Sequence, residues 1–152
     1  MKTTTIWGAV ALAVLAINAA AAEGEAAGTI KTSKGEVSIE RAGVRIPGAV
    51  GTAVQVADKV RTGADGAVGL TLRDNTLLSA GPNSLLTLDK FSFDSTTNAG
   101  TLSVGVRKGT LAVATGKIAR QTPESIDFRT ATSVIGVRGT EFVIEAGSGN
   151  ED

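Results

Sequence analysis

Apolar residues recur at every second position along most of this 152-residue chain. In the run VGLTL at residues 68–72 they alternate with small or polar residues, and similar short runs continue from residue 37 to residue 144. A period of two places successive side chains on opposite faces of a β-sheet, one buried and one solvated. No stretch after residue 26 carries the 3.6-residue apolar stripe of a long helix. The pattern predicts an all-β fold.

Turn-forming residues separate these runs. Gly and Asn tolerate positive φ, and Asp, Asn and Ser close turns with their side chains. The separators are Gly63-Ala64-Asp65-Gly66, Asp74-Asn75, Gly81-Pro82-Asn83-Ser84, Asn98-Ala99-Gly100, Lys108-Gly109 and Arg138-Gly139. Strands spaced by roughly ten residues with turns between them are typical of a sandwich, a barrel or a solenoid. Basic-Gly pairs at residues 34–35, 108–109 and 138–139 suggest either stacked similar coils or ordinary turn exits.

The composition excludes several classes of chemistry. The chain has no His and no Cys, which rules out disulfides, Cys/His zinc sites and nucleophilic catalysis by Cys or by a Ser–His pair. Basic and acidic residues balance at 15 each, so no cationic surplus is available for a run of phosphates. Aromatic residues make up only 3%, which removes most stacking platforms for single strands. We expect no nucleic-acid partner, no cofactor and no metal site.

The N-terminus has the pattern of a secretory signal. Lys2 supplies a positive charge, an apolar run spans residues 6–17, and Ala20-Ala21-Ala22 provides small residues before the polar Glu23. This pattern predicts a signal peptide at residues 1–22 with cleavage after Ala22. The alternative is an uncleaved anchor, since residues 3–22 reach the roughly 20 residues that a spanning helix needs. Cleavage would leave the mature chain without a membrane anchor, in the periplasm or outside the cell.

The mature chain divides into three parts by its pattern. Residues 23–49 form an N-terminal lead-in with the first strands, and residues 50–146 carry the main β domain. Residues 147–152 are polar and glycine-rich, which predicts a flexible tail.

Residues for catalysis are scarce. Most of the carboxylates that could form a catalytic pair lie at turns or on the polar phase of a strand, where solvated acids and Asx turns are normal. They are Glu36, Glu40, Asp58, Asp65, Asp74, Asp89, Asp94, Glu124, Asp127 and Glu141. No calcium-loop or phosphate-loop spacing is present. We expect a protein that is not an enzyme.

The most unusual stretch runs from residue 133 to residue 142, SVIGVRGTEF. It is strongly apolar, yet it carries one arginine, Arg138, between two glycines. One interpretation is a buried strand with a bend at Gly136 and Arg138 pairing locally at a turn. The other is a partner-recognition edge anchored by Arg138, because arginine is enriched at interaction hot spots. Arg138 is therefore the candidate partner contact.

The same stretch carries a family resemblance. Residues 130–142, TATSVIGVRGTEF, resemble the C-terminal signature of the FecR family domain, and Asp58-Lys59-Val60-Arg61-Thr62-Gly63 resembles an upstream segment of that family. Residues 68–77, 81–88 and 108–111 resemble its intervening strands and turns, so the similarity covers roughly residues 50–144. Asn75 stands where the family usually has Gly, a tolerable change because Asn also adopts positive φ.

The resemblance implies a solenoid-like or sandwich-like extracytoplasmic domain. Members of the ferric-citrate-regulator type are inner-membrane anti-sigma proteins that receive a signal from an outer-membrane transporter. Those members carry a cytoplasmic sigma-binding segment, whereas only five residues precede the apolar run here. We therefore expect a stand-alone FecR-like binding or assembly module with an unidentified protein partner, such as an envelope or outer-membrane component. The alternative is an envelope or matrix scaffold that acts by self-association.

Overall fold

In a computed structural model, residues 25–137 and 141–147 are described. They form twelve β-strands, a five-residue helix and one 3₁₀ turn at Pro123–Ser125. The elements are β1 (Gly28–Lys34), β2 (Val37–Arg41), β3 (Val44–Pro47), β4 (Ala53–Val54), β5 (Lys59–Thr62), β6 (Ala67–Leu72), β7 (Leu77–Ala80), β8 (Leu85–Phe93), β9 (Gly100–Ala114), α1 (Lys117–Gln121), β10 (Ile126–Arg129), β11 (Val134–Gly136) and β12 (Glu141–Ala146). The predicted all-β class is confirmed.

The strands form two groups that share β9. Sheet A has the order β4-β1-β6-β7-β9-β12, and sheet B has the order β3-β2-β5-β8-β9-β10-β11. All neighbours are antiparallel except β10, which runs parallel to β9. The part of β9 up to Lys108 pairs with β8, and the part from Leu111 pairs with β7. The two sheets are therefore one hydrogen-bonded surface that curls around a common core.

Gly109 changes the expected course of β9. The sequence pattern predicts a turn at Lys108-Gly109 between two strands, but the structure has one strand that bends there. Gly109 has a φ of 90°, a backbone conformation that glycine adopts without a steric penalty. Gly109 is therefore a corner inside β9 and not a separator between two strands. At this residue β9 passes from sheet B into sheet A.

Backbone hydrogen bonds link three other corners in series, and they link the last of these to Thr110 beside Gly109. The three corners connect β1 to β2, β5 to β6, and β7 to β8, so each passes from one sheet to the other. The Gly63 N–H donates to the Glu36 carbonyl at 2.9 Å, and the Asn83 N–H donates to the Gly63 carbonyl at 3.0 Å. The Gly81 N–H donates to the Thr110 carbonyl at 3.0 Å. These hydrogen bonds pair backbone groups of the corners with one another.

The core lies between the two sheets. Its fully buried members come from both, and they include Ile30 and Leu111 from sheet A, Ile39 and Leu102 from sheet B, and Phe128 from β10. These are the inward positions of the alternating pattern, so the period-two signal identifies the core directly. Within the described residues no helix is long and apolar enough to cross a membrane.

The helix α1 is an element that the sequence pattern did not indicate. It follows β9 and is held by the β6–β7 turn, where the Lys117 N–H donates to the Asp74 carbonyl at 2.8 Å. The Asp74 carboxylate is fully buried and accepts the Thr76 hydroxyl at 2.7 Å. Asn75 in this turn has a φ of 69°, as expected for Asn in the place of Gly. One turn of helix is too short to produce a recognisable apolar stripe.

Candidate interaction surface

The strand β12 leaves an edge of sheet A open. Among the residues that the structure describes, β12 pairs only with β9, from Glu141 opposite Ala114 to Ala146 opposite Gly109. Its inward side chains hold it to the core: Ile144 is buried, and the Phe142 ring packs edge-on against Phe128 at a centroid distance of 5.2 Å. These side chains pack β12 against the core, while its outer edge presents backbone groups that can pair with another strand.

The outer face of sheet A beside this edge is apolar. Val143 is 63% exposed and Leu77 is 47% exposed, so two large aliphatic side chains meet solvent on this face. Between them lie Ala112 and Ala114 of β9, with Ala112 paired to Val143 and Ala114 paired to Leu77. The small alanine side chains leave a shallow depression of about 420 Å³. The depression lies over β9, between β12 and β7, on the side of Val143 that faces away from the open edge.

Two carboxylates flank the exposed valine. Glu141 and Glu145 lie two residues before and two residues after Val143, so all three project from the same face of β12. If two copies paired symmetrically with Val143 opposite Val143, each Glu141 would face a Glu145. Like charges directly opposite each other destabilise strand pairing. The edge is therefore better matched to a strand that carries basic residues than to a second copy of itself.

We define the β12 surface as the open edge of β12 together with Leu77, Ala112, Ala114 and Val143. Its position agrees in part with the stretch singled out from the sequence, which ends inside β12. Arg138, the candidate partner contact, lies outside the described residues. Val137 just before it is buried, and Gly136 closes β11 by pairing with Asp127. The alternation of Glu141–Glu145 is visible in the sequence, but only the strand order shows that β12 is an edge.

The carboxylates considered as catalytic candidates are dispersed. Most of them are exposed or half-exposed, and the exceptions are Asp58 and Asp74, which are 1% and 0% exposed. The Asp58 carboxylate accepts Arg41 Nη2 at 2.7 Å and Arg41 Nε at 2.9 Å, and it also accepts the Gln55 N–H at 2.8 Å. Asp58 fixes local structure through these contacts, and Asp74 does so through its bonds to Thr76 and Lys117. In the described part of the chain no three acidic side chains come together in a way that could hold a metal ion.

Comparison with known proteins shows that the chain matches one family model. The family model described as FecR protein matches residues 58–151, which is more than half of the chain. No curated protein and no solved structure matches. The matched span includes the whole β12 surface. The strands β1 and β2 precede the match, yet they pair with β6 and β5 inside it.

Proposed function

The chain belongs to the FecR protein family, and we propose that it is an exported, non-enzymatic binding module that serves envelope signalling or assembly. The FecR domain favours a signalling-related sensing role in the periplasm. Export rests on the signal pattern of residues 1–22, with the periplasm or the cell exterior as the destination. We also propose that the architecture is solenoid-like or sandwich-like, because the hydrogen-bonded corners stack the two curled sheets across one core.

The open edge of β12 is the observation that carries the proposed binding role. An extended segment of a protein partner would add to this edge as a further strand of sheet A. Its backbone would supply affinity through main-chain hydrogen bonds, and its outward side chains would supply specificity. An apolar residue opposite Val143 would pack against Val143 from the open side of β12 as its cross-strand neighbour. Basic residues two positions to either side would face Glu141 and Glu145.

The alternative function is a scaffold built by self-association, and a second edge favours it. The strand β3 is the last strand at one side of sheet B, and it exposes Val44 and Arg45. Pairing of β12 from one copy with β3 from the next would bring Arg45 near the glutamates of β12. Such a head-to-tail contact joins unlike edges of successive copies and so produces rings or open chains of molecules.

Disruption of the β12 surface tests the proposed function. Val143→Asp places a third carboxylate on the outer face of β12, where it changes no core contact. Val50→Asp is the matched control, because Val50 is also 63% exposed but lies in the loop before β4. We expect wild-type and Val50→Asp chains, purified from the exported fraction, to capture the same envelope protein, and Val143→Asp to lose it. Hydrogen exchange should show new protection of residues 141–146 in the complex.

The outcomes separate the two functions. Capture that is indifferent to Val143→Asp contradicts binding at β12. Sedimentation that shows concentration-dependent assembly, abolished by Arg45→Glu, supports the scaffold instead. The mass of the exported chain tests the predicted loss of residues 1–22.

A further inference from the structure

A groove of about 610 Å³ crosses the outer face of sheet B, away from the β12 surface. Its floor is formed by Thr87 of β8 and Gly105 of β9, which lie opposite each other in the strand register. The groove exists because Gly105 has no side chain. A Cβ atom at that position would lie 3.1 Å from Asp89 Oδ2 and 3.8 Å from Thr87 Cβ, so a larger side chain would fill the space.

The walls of the groove are rich in basic residues. Arg61, Arg107, Lys108 and Arg129 line it, with Asp89 as the acidic residue among the lining side chains. Arg129 donates from Nε to Asp127 Oδ2 at 2.8 Å, but the other three form no ion pair within the described residues. The chain as a whole has zero net charge. The excess of positive charge is therefore a local feature of this face, where it would attract an anionic ligand.

Asp127 holds Arg129, one of the three arginines that line the groove, in place. Burial opposes ionisation of Asp127, but hydrogen bonds from Ser103 and Arg129, together with the charges of Arg129 and Lys90, lower the pKa of this carboxyl group. The hydrogen bond to Asp127, together with the charges of Asp127 and Asp89, raises the pKa of Arg129. Arg129 is thus held at the wall while Arg61 and Arg107 are available to pair with a ligand.

The floor contains an unsatisfied polar atom. Thr87 Oγ1 is buried and has no hydrogen-bond partner among the described residues. A buried hydroxyl without a partner costs free energy, and such groups are rare in folded proteins. Thr87 lies on the outward phase of β8, between the buried Leu86 and Leu88. This hydroxyl is not exposed at the surface of the groove, so a ligand would supply the missing partner only after the Thr87 side chain turns to another rotamer.

We propose that this groove binds an acidic, extended peptide segment of a partner protein. Carboxylates of the segment would pair with Arg61 and Arg107, whose planar guanidinium groups match a carboxylate with two parallel hydrogen bonds. The Thr87 hydroxyl, once turned toward the groove, would donate to a peptide carbonyl, and Asp89 would accept a peptide N–H. None of the described residues that line the groove is aromatic, so they offer sugar rings and nucleic-acid bases no stacking surface. Asp89 would also repel a polymer that is charged at every unit.

Binding of a defined peptide tests the proposal. The probe is a fluorescein-labelled peptide of alternating Glu and Ser, and the same peptide with Gln in place of Glu is the uncharged control. We expect the mature protein to bind the Glu peptide only, with an affinity that falls as salt is added. Arg61→Gln and Arg107→Gln should each weaken binding by roughly tenfold. Arg120→Gln, on the exposed face of α1, is the matched charge control and should change nothing.

Two further variants separate the shape of the groove from its charge. Gly105→Val fills the floor while it leaves every charge in place, and we expect it to abolish binding. Thr87→Val removes the hydroxyl alone, and it should weaken binding without lowering the thermal midpoint of unfolding. Binding that survives Gly105→Val, or that is unaffected by both arginine substitutions, overturns the proposal. Preferential binding of an oligogalacturonate probe would overturn it in favour of an acidic glycan.

Discussion

Gly109 of β9 lies directly against Ser84 at the end of the β7–β8 corner, and a Cβ atom at Gly109 would overlap the Ser84 side chain. The Ser84 hydroxyl accepts the Thr110 N–H at 3.1 Å, so the contact also pairs the backbone next to the bend. Ser84 in turn donates its N–H to Thr62 Oγ1 at 2.9 Å. This junction joins the two sheets, because β9 can belong to both only if it bends at this point.

We expect Gly109→Ala to destabilise the domain by about 3 kcal/mol, since it combines a positive φ with a steric overlap. Gly43→Ala is the matched control: Gly43 has a φ of 78° but nothing within 4 Å of the Cβ position. That control should cost only about 1 kcal/mol, from the backbone conformation alone. Urea unfolding measures both values. Equal losses would mean that the contact with Ser84 contributes nothing.

The pair Arg41–Asp58 should be worth more than an exposed ion pair. Asp58 is fully buried while the Arg41 side chain is 28% exposed, so Asp58→Asn leaves a partly solvated cation and a weaker set of hydrogen bonds. We expect a loss of about 2 kcal/mol, below the full cost of breaking a completely buried pair. Glu25→Gln breaks the exposed pair with Arg73 and should cost less than about 0.5 kcal/mol. The expectation is wrong if chemical denaturation gives similar losses for the two variants.

Asp127 should contribute to the acid sensitivity of the fold. Burial acts to raise its pKa, but hydrogen bonds from Ser103 and Arg129 and the charges of Arg129 and Lys90 together lower it in the folded state from the ordinary value of 3.8. The ionised form is therefore favoured by folding, and its contribution is complete above the ordinary pKa and is lost as the pH falls through the lowered value. Asp127→Asn should reduce stability near neutral pH and flatten the decline between about pH 5 and about pH 2. Glu124→Gln is an exposed control, and an identical decline in wild type and Asp127→Asn would contradict this role.

Two threonines of sheet B should respond in opposite ways to the same change. Thr87→Val replaces an unsatisfied buried hydroxyl with a methyl group of the same shape, and we expect a gain of about 0.5 to 1 kcal/mol. Thr62→Val removes a hydroxyl that accepts the Ser84 N–H and donates to the Gly81 carbonyl at 2.7 Å. That change should cost about 2 kcal/mol because it leaves two corner groups unpaired. Thermal unfolding of the ligand-free protein distinguishes them, and a loss for Thr87→Val would show that its hydroxyl has a partner.

The sequence by itself determined the class of the fold, the inward residues and the family. These follow from local rules: alternation assigns each side chain of a strand to one face, and residues such as Asn75 suit a positive φ wherever the turn lies. The same rules identify Ile144 as a core residue and Val143 as its solvent-facing neighbour. They do not require knowledge of which strands meet.

Tertiary structure alone decided the order of the strands and everything that depends on it. The bend at Gly109 became a corner within β9 because Ser84 packs against it from a distant part of the chain. Asp58 became a buried acid because Arg41 reaches it across 17 residues. The edge at β12 and the groove over Gly105 likewise exist only after non-local strands pair. Alternation describes one strand at a time, whereas an edge or a groove is a property of the neighbours that a strand has or lacks.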